Sequence, residues 1–146
     1  MKKQKRIWIS LLLSIILIVV LSGCSGLPKT AKLNISIDPN PVPYNSEDGR
    51  WWFNLILTES NGVGVTLTSV RLDLYDQAEE LVHTLFLYEE DIIYMFESNY
   101  LPAFSSLQSD EFYSSIALKY IAVTIEGVDD NNNPIEATGR VDFLPQ

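Results

Sequence analysis

From Leu33 to Phe143 the apolar side chains fall on alternate positions, and no long stretch of this region carries them at helical spacing. Leu33, Ile35 and Ile37 alternate with Asn34, Ser36 and Asp38, while Trp51, Phe53, Leu55 and Leu57 share a face opposite Trp52, Asn54, Ile56 and Thr58. Ile121, Val123 and Ile125 alternate with Ala122, Thr124 and Glu126. Ile135, Ala137, Gly139, Val141 and Phe143 alternate with Glu136, Thr138, Arg140 and Asp142. Successive side chains of a strand point to opposite faces, so each segment predicts a half-buried strand with one dry and one wet face.

Between these segments the pattern is less regular. Val65 and Leu67 have one parity, and Val70, Leu72 and Leu74 the other. A phase change near Thr68-Ser69 predicts a bulge or a strand changing sheets. Two further strands are expected over Val82–Tyr88 and Phe112–Leu118. Glu89–Leu107 shows no period, and within it Asp91–Phe96 reads as a short strand, a helical turn or a packed loop.

The turn residues agree with this division. Pro39, Pro41 and Pro43 lack the N–H that a central ladder needs, so this segment predicts a turn or an edge crossing. Asn61-Gly62 reads as a tight hairpin, and Asp129–Pro134 turns the last strand pair. About seven short strands in roughly 110 residues predict an all-β chain, folded as an antiparallel β-sandwich. The Pro-rich entry, WWFNLILTE, GVGVTLTSVRLDLYD and IAVTIEGVDDNNNPIEATGRVDF resemble immunoglobulin-like and fibronectin type III-like domains of bacterial envelope proteins. The resemblance covers most of residues 33–143 and implies an immunoglobulin-like sandwich; it implies no activity, because such sandwiches host unrelated functions.

The N-terminus has a different character. Lys2, Lys3, Lys5 and Arg6 precede an apolar run from Ile7 to Leu21, broken only by Ser10 and Ser14. A basic segment followed by about 15 apolar residues is the order of a secretory signal peptide, and is short of the ~20 that span a bilayer. Leu21-Ser22-Gly23-Cys24 resembles the lipobox of bacterial lipoproteins. That resemblance implies a signal helix over 1–23 cleaved between Gly23 and Cys24, and a diacylglyceryl lipid on Cys24, with palmitate among its acyl chains. Residues 24–32 then read as a lipidated tether and 33–146 as the sandwich domain. The implied address is the cell envelope, on the outer face of the plasma membrane or at the outer membrane.

Cys24 is the sole cysteine and His83 the sole histidine. A disulfide or a zinc–thiolate cluster therefore has no second cysteine, and thiol catalysis falls away because the lipobox commits Cys24 to lipid. A Ser/His/Asp hydrolase would need His83 as base, but no nucleophile elbow accompanies it. Past Cys24 the chain carries 19 acids against 6 bases. Such a surface repels nucleic acid. Asp129, Asn131 and Asn133 offer oxygens at calcium-loop spacing, yet Pro134 and Arg140 stand where that loop needs Gly and Glu. Glu89-Glu90-Asp91 reads as a solvated charge run.

Trp52 has the outward parity, with Ile56. Together with Tyr44 it would form an exposed apolar patch, or else lie beneath the Pro-rich segment as a satellite core. Tyr94, Phe96, Tyr100 and Phe104 sit in the unassigned region. The expectation is a non-enzymatic interaction or scaffolding module without cofactor, tethered to a membrane and binding another envelope protein. The alternatives are a carbohydrate- or small-ligand-binding lipoprotein that stacks Trp52, Tyr94 or Tyr100 on its ligand, and a calcium-stabilised adhesion-type module.

Overall fold

The computed structural model describes residues 29–146; Gly23, Cys24 and the expected signal segment lie outside the described residues. The first sheet is built from β1 (Leu33–Asp38), β2 (Tyr44–Asn45), β3 (Arg50–Glu59), β7 (Ser106–Gln108) and β8 (Phe112–Ser114). The second contains β4 (Val65–Tyr75), β5 (Leu81–Leu87), β6 (Tyr100–Leu101), β9 (Tyr120–Asp129) and β10 (Pro134–Asp142). Among the described residues one helix, α1 (Glu89–Phe96), connects β5 to β6.

β3 is the centre of the first sheet. Leu57 is flanked by Ile35 of β1 and Leu107 of β7, and Trp51 by Tyr44 of β2 and Ser114 of β8. Each edge is thus one row interrupted midway, β1 with β2 and β7 with β8. In the second sheet the order is β10-β9-β4-β5, and β6 continues the β5 row, pairing Leu101 with Val65. All these pairings are antiparallel, and the rows number about seven, the immunoglobulin-like arrangement.

The alternation in the sequence becomes the core. Along β3 the buried positions are Trp51, Phe53, Leu55, Leu57 and Glu59, with the even positions half-exposed. They face Val65, Leu67, Val70, Leu72, Ile121, Val123, Ile125, Ile135 and Val141 from the second sheet. Trp51 is 1% exposed and its indole N–H donates to the Leu144 carbonyl at 2.9 Å, so the largest core ring leaves no donor unpaired. Where β10 crosses β1, a Cβ on Gly139 would lie 2.9 Å from Ile35 Cγ2, so only glycine lets the sheets approach there.

The register of β4 against β9 shifts between Leu67 and Ser69, where the sequence changes phase. The extra residue turns Val70 and Leu72 back to the core side. The prolines lie between β1 and β2 on the sheet edge, and Val42 crosses over to bridge Phe143 in parallel.

Two expectations change, and one left open is decided. Asn61-Gly62 is not a hairpin: β3 and β4 belong to different sheets, and this turn carries the chain across the sandwich. The Glu59 carboxylate accepts both turn N–H groups, at 2.7 Å from Asn61 and 2.8 Å from Gly62, and Gly62 takes φ +83. The unassigned segment yields α1, in which Ile92 and Phe96, one turn apart, are buried. Acids fill its first turn, Asp91 accepts the Tyr88 N–H at 3.1 Å, and Glu97 ends it in the left-handed region. The strand expected over Phe112–Leu118 is confined to Phe112–Ser114.

Candidate functional site

One end of the sandwich is closed by two buried carboxylates. Glu59 accepts backbone N–H groups from Lys32, Asn61, Gly62 and Phe104. Burial alone would raise its pKa; the four donors outweigh it and hold the carboxyl down at about 2. Asp129 accepts N–H groups from Asn131 and Asn133 on Oδ1, from Ala31 on Oδ2, and from the Asn133 amide on both. Here too burial pushes the pKa up and the donors, Asn133 first, bring it below the ordinary value.

This geometry bears on the calcium reading of Asp129, Asn131 and Asn133. Both oxygens of Asp129 serve the turn, and the Asn131 amide donates to the Lys29 carbonyl at 2.7 Å. Among the described residues no group of three or more His, Cys, Asp or Glu side chains is placed to hold a metal. The same bonds shorten the expected tether. Residues 29–32 are fastened to the domain through Asp129, Asn131, Asn61 and Glu59, and Ala31 is buried.

At the opposite end of β3, the proposed patch residues separate. Tyr44 packs on Trp51 with ring centroids 4.7 Å apart, on the core side. Trp52 faces outward against Tyr113 at 4.9 Å, with the Arg50 guanidinium 5.5 Å from its ring and 4.2 Å from Tyr113. Its indole N–H donates to Asp48 at 2.6 Å. Trp52 is therefore neither under the prolines nor bare: tyrosine and arginine partly cover it. Ile56 lies half-exposed on the same outer face, and Tyr44 does not join it.

Of the aromatics in the unassigned region, Phe96 is core, while Tyr100 donates its hydroxyl to Asp130 at 3.1 Å, which raises its pKa. Phe104 lies over Gly62, where an added Cβ would sit 2.5 Å from its ring. Tyr94 is 82% exposed and lines, with Met95, Asp110, Glu111, Phe112 and Tyr113, an open cavity of about 260 Å³.

The largest apolar exposure lies elsewhere. Seven of the thirteen large exposed hydrophobics among the described residues fall within Leu81–Tyr94, on β5 and α1. In β5 only Leu87 is buried; Leu81, Val82, Leu85 and Phe86 are exposed, and so is His83. Both faces of this strand overhang the core, and β4 is its one neighbour in the sheet. The strand matches the expectation over Val82–Tyr88, but its exposed surface was not among the expected sites. The available signal was LVHTLFL itself, apolar in both parities and without charge, between two acidic stretches. Such a run is either buried on both faces or presented on both.

Among solved structures, the fold is similar to the crystal structure of the ApaA protein from Bordetella pertussis, with 12% identity and a TM-score of 0.52 over 81% of this chain and 98% of that chain. It is also similar to the crystal structure of a CARDB domain from Pyrococcus furiosus, in complex with di-metal ions, with 15% identity and a TM-score of 0.42 over 80% of this chain and 90% of that one. At these identities the likeness concerns the fold alone. No protein-family model matches the chain. No curated protein matches it either.

Proposed function

We propose that this chain is a lipid-anchored cell-envelope protein whose sandwich binds another envelope protein and catalyses no reaction. The observation that carries the reading is the apolar surface of β5 and α1, where exposed leucine, valine, phenylalanine and tyrosine side chains are concentrated on one side of the domain. Exposed apolar side chains gathered on one strand and the helix that follows it favour an interaction site on an otherwise acidic protein. The anchor rests on the basic start, the apolar run and the lipobox-like Leu21–Cys24. Four residues separate Cys24 from Lys29, and the five steps between them reach about 17 Å when fully extended. With Ala31 and Lys32 pinned by Asp129 and Glu59, that end of the sandwich faces the membrane. β5 pairs with the far half of β4, from Val70 to Tyr75, and so stands clear of the bilayer for a partner to reach.

The test is crosslinking in intact cells followed by capture of the full chain, with Leu85→Lys in parallel. The reading expects a dominant envelope protein that is lost in the variant while the variant remains folded and anchored. Abundant, folded wild-type chain that captures nothing would overturn it. The cavity between Tyr94 and Tyr113 favours a second reading, in which the two rings and the carboxylates of Asp110 and Glu111 hold a sugar. Its volume lies below the ~300 Å³ of ordinary ligand pockets. Binding on a glycan array supports that reading, and a silent array with folded protein removes it.

A further inference from the structure

The apolar strand β5 forms an edge of its sheet, with β4 on one side and no strand of the described residues on the other. A strand paired on one side presents every second N–H and C=O outward, ready to accept another strand. Natural edges are normally guarded by lysine, proline or a bulge. Leu81–Leu87 contains no charged residue and no proline, and both of its faces carry exposed apolar side chains. Its one irregularity is at Val82, skipped where Leu74 pairs with His83 and Tyr75 with Leu81, so the regular ladder open to another strand runs from His83 to Leu87.

The charges around this edge decide what fits it. Glu79 and Glu80 precede β5, and Glu89, Glu90 and Asp91 follow it in the first turn of α1. Glu79 is ion-paired with Lys119, and Arg71, beside Phe86 in the register, is held by Asp73 at 2.8 Å. Among the described residues the other four acids have no ion-pair partner. An antiparallel second copy centred on Thr84 sets Glu79 opposite Glu89 of the other chain. A parallel copy sets each acid beside its own counterpart. Both arrangements bring like charges together, which disfavours self-pairing and favours an incoming strand of opposite charge at its ends.

We propose that β5 takes up an extended segment of another protein, apolar at alternate positions and flanked at both ends by lysine or arginine. The main-chain ladder supplies attachment, the exposed faces of β5 receive the apolar side chains, and the acidic flanks select the basic ends. This proposal rests on the interaction reading above and specifies its partner.

The test uses the full chain in detergent micelles and two synthetic peptides with one core, KKVTVTVKK and EEVTVTVEE. Fluorescence anisotropy measures affinity, and amide hydrogen exchange locates the site. The lysine-flanked peptide is expected to bind at least tenfold more tightly than its acidic twin and to weaken as salt rises. It should slow exchange over Leu81–Leu87. Leu85→Lys should lose at least tenfold in affinity at an unchanged melting temperature. Equal affinities for the two peptides, or unchanged exchange over β5, would overturn the proposal. So would a concentration-dependent dimer that protects β5 without peptide, which would make the occupant a second copy. If cells yield a captured envelope partner while neither peptide protects β5, this proposal falls and the interaction reading stands. If neither a partner nor peptide binding is found, both fall.

Discussion

Asp129 Oδ2 accepts the backbone N–H of Ala31 at 3.0 Å, joining two residues 98 positions apart. The bond ties the start of the domain to its last hairpin, at the end where Glu59 gathers Lys32 and the crossover turn. A lipid anchor on Cys24 would pull directly on this clasp. Three consequences can be measured on it and on the neighbouring core.

The first concerns acid. The Glu59 carboxyl is held at about 2, below its ordinary 4.5, so its stabilising effect is complete above about pH 4.5 and lost as pH falls toward 2. Allowing for water at the sandwich rim, that is on the order of 2 kcal/mol. Glu59→Gln replaces an acceptor oxygen with a donor and orphans up to two backbone N–H groups, at a cost of about 2–4 kcal/mol. Urea unfolding at pH 7 and at pH 3 should show the wild type approaching the variant at the lower pH.

Asp129 has the same sign, its pKa also lowered by the N–H groups that it accepts. Asp129→Ala should lower the melting temperature at neutral pH and expose the Ala31 amide to hydrogen exchange. Because both carboxylate oxygens already serve the turn, melting in EDTA and in millimolar calcium should coincide. A rise of several degrees with calcium would restore the cation reading of Asp129, Asn131 and Asn133.

The two faces of β3 should respond differently. Leu57 is fully buried, so Leu57→Ala costs about 2–5 kcal/mol by denaturant unfolding. Trp52→Ala removes only the contacts with Tyr113, Arg50 and Asp48, worth about 1 kcal/mol.

Lipidation gives a direct chemical readout. Cells fed labelled palmitate should label the wild-type chain and leave Cys24→Ser unlabelled and unprocessed. Equal labelling of the two would place the lipid elsewhere or remove it from the account.

The alternation of β1, β3, β9 and β10 was legible because a one-residue slip would put polar atoms in the core, so the pattern is tightly constrained. The bulge at Leu67/Ser69 was legible for the same reason, as a break in parity. Asn61-Gly62 misled because left-handed backbone suits a crossover as well as a hairpin, and the deciding contact, Glu59 to both amides, depends on tertiary placement. Helix α1 is only eight residues long, too short for a period to emerge from Glu89–Phe96. Tyr44 and Trp52 looked like neighbours in sequence, but their strands pair so that Tyr44 lies beside Trp51, and the ring of Trp52 goes to Tyr113. The apolar surface of β5 was left undecided for a different reason. LVHTLFL is compatible with burial on both faces, and only the overhang of its row beyond the first sheet leaves it exposed.

The central claim is that the β5 side of the sandwich is where this protein meets its partner. Its most direct test places a photo-crosslinking amino acid at Phe86 and, separately, at Trp52 in the full chain in cells. The account predicts one dominant heterologous adduct from position 86 and none from position 52. A dominant adduct from position 52 with position 86 silent would contradict it.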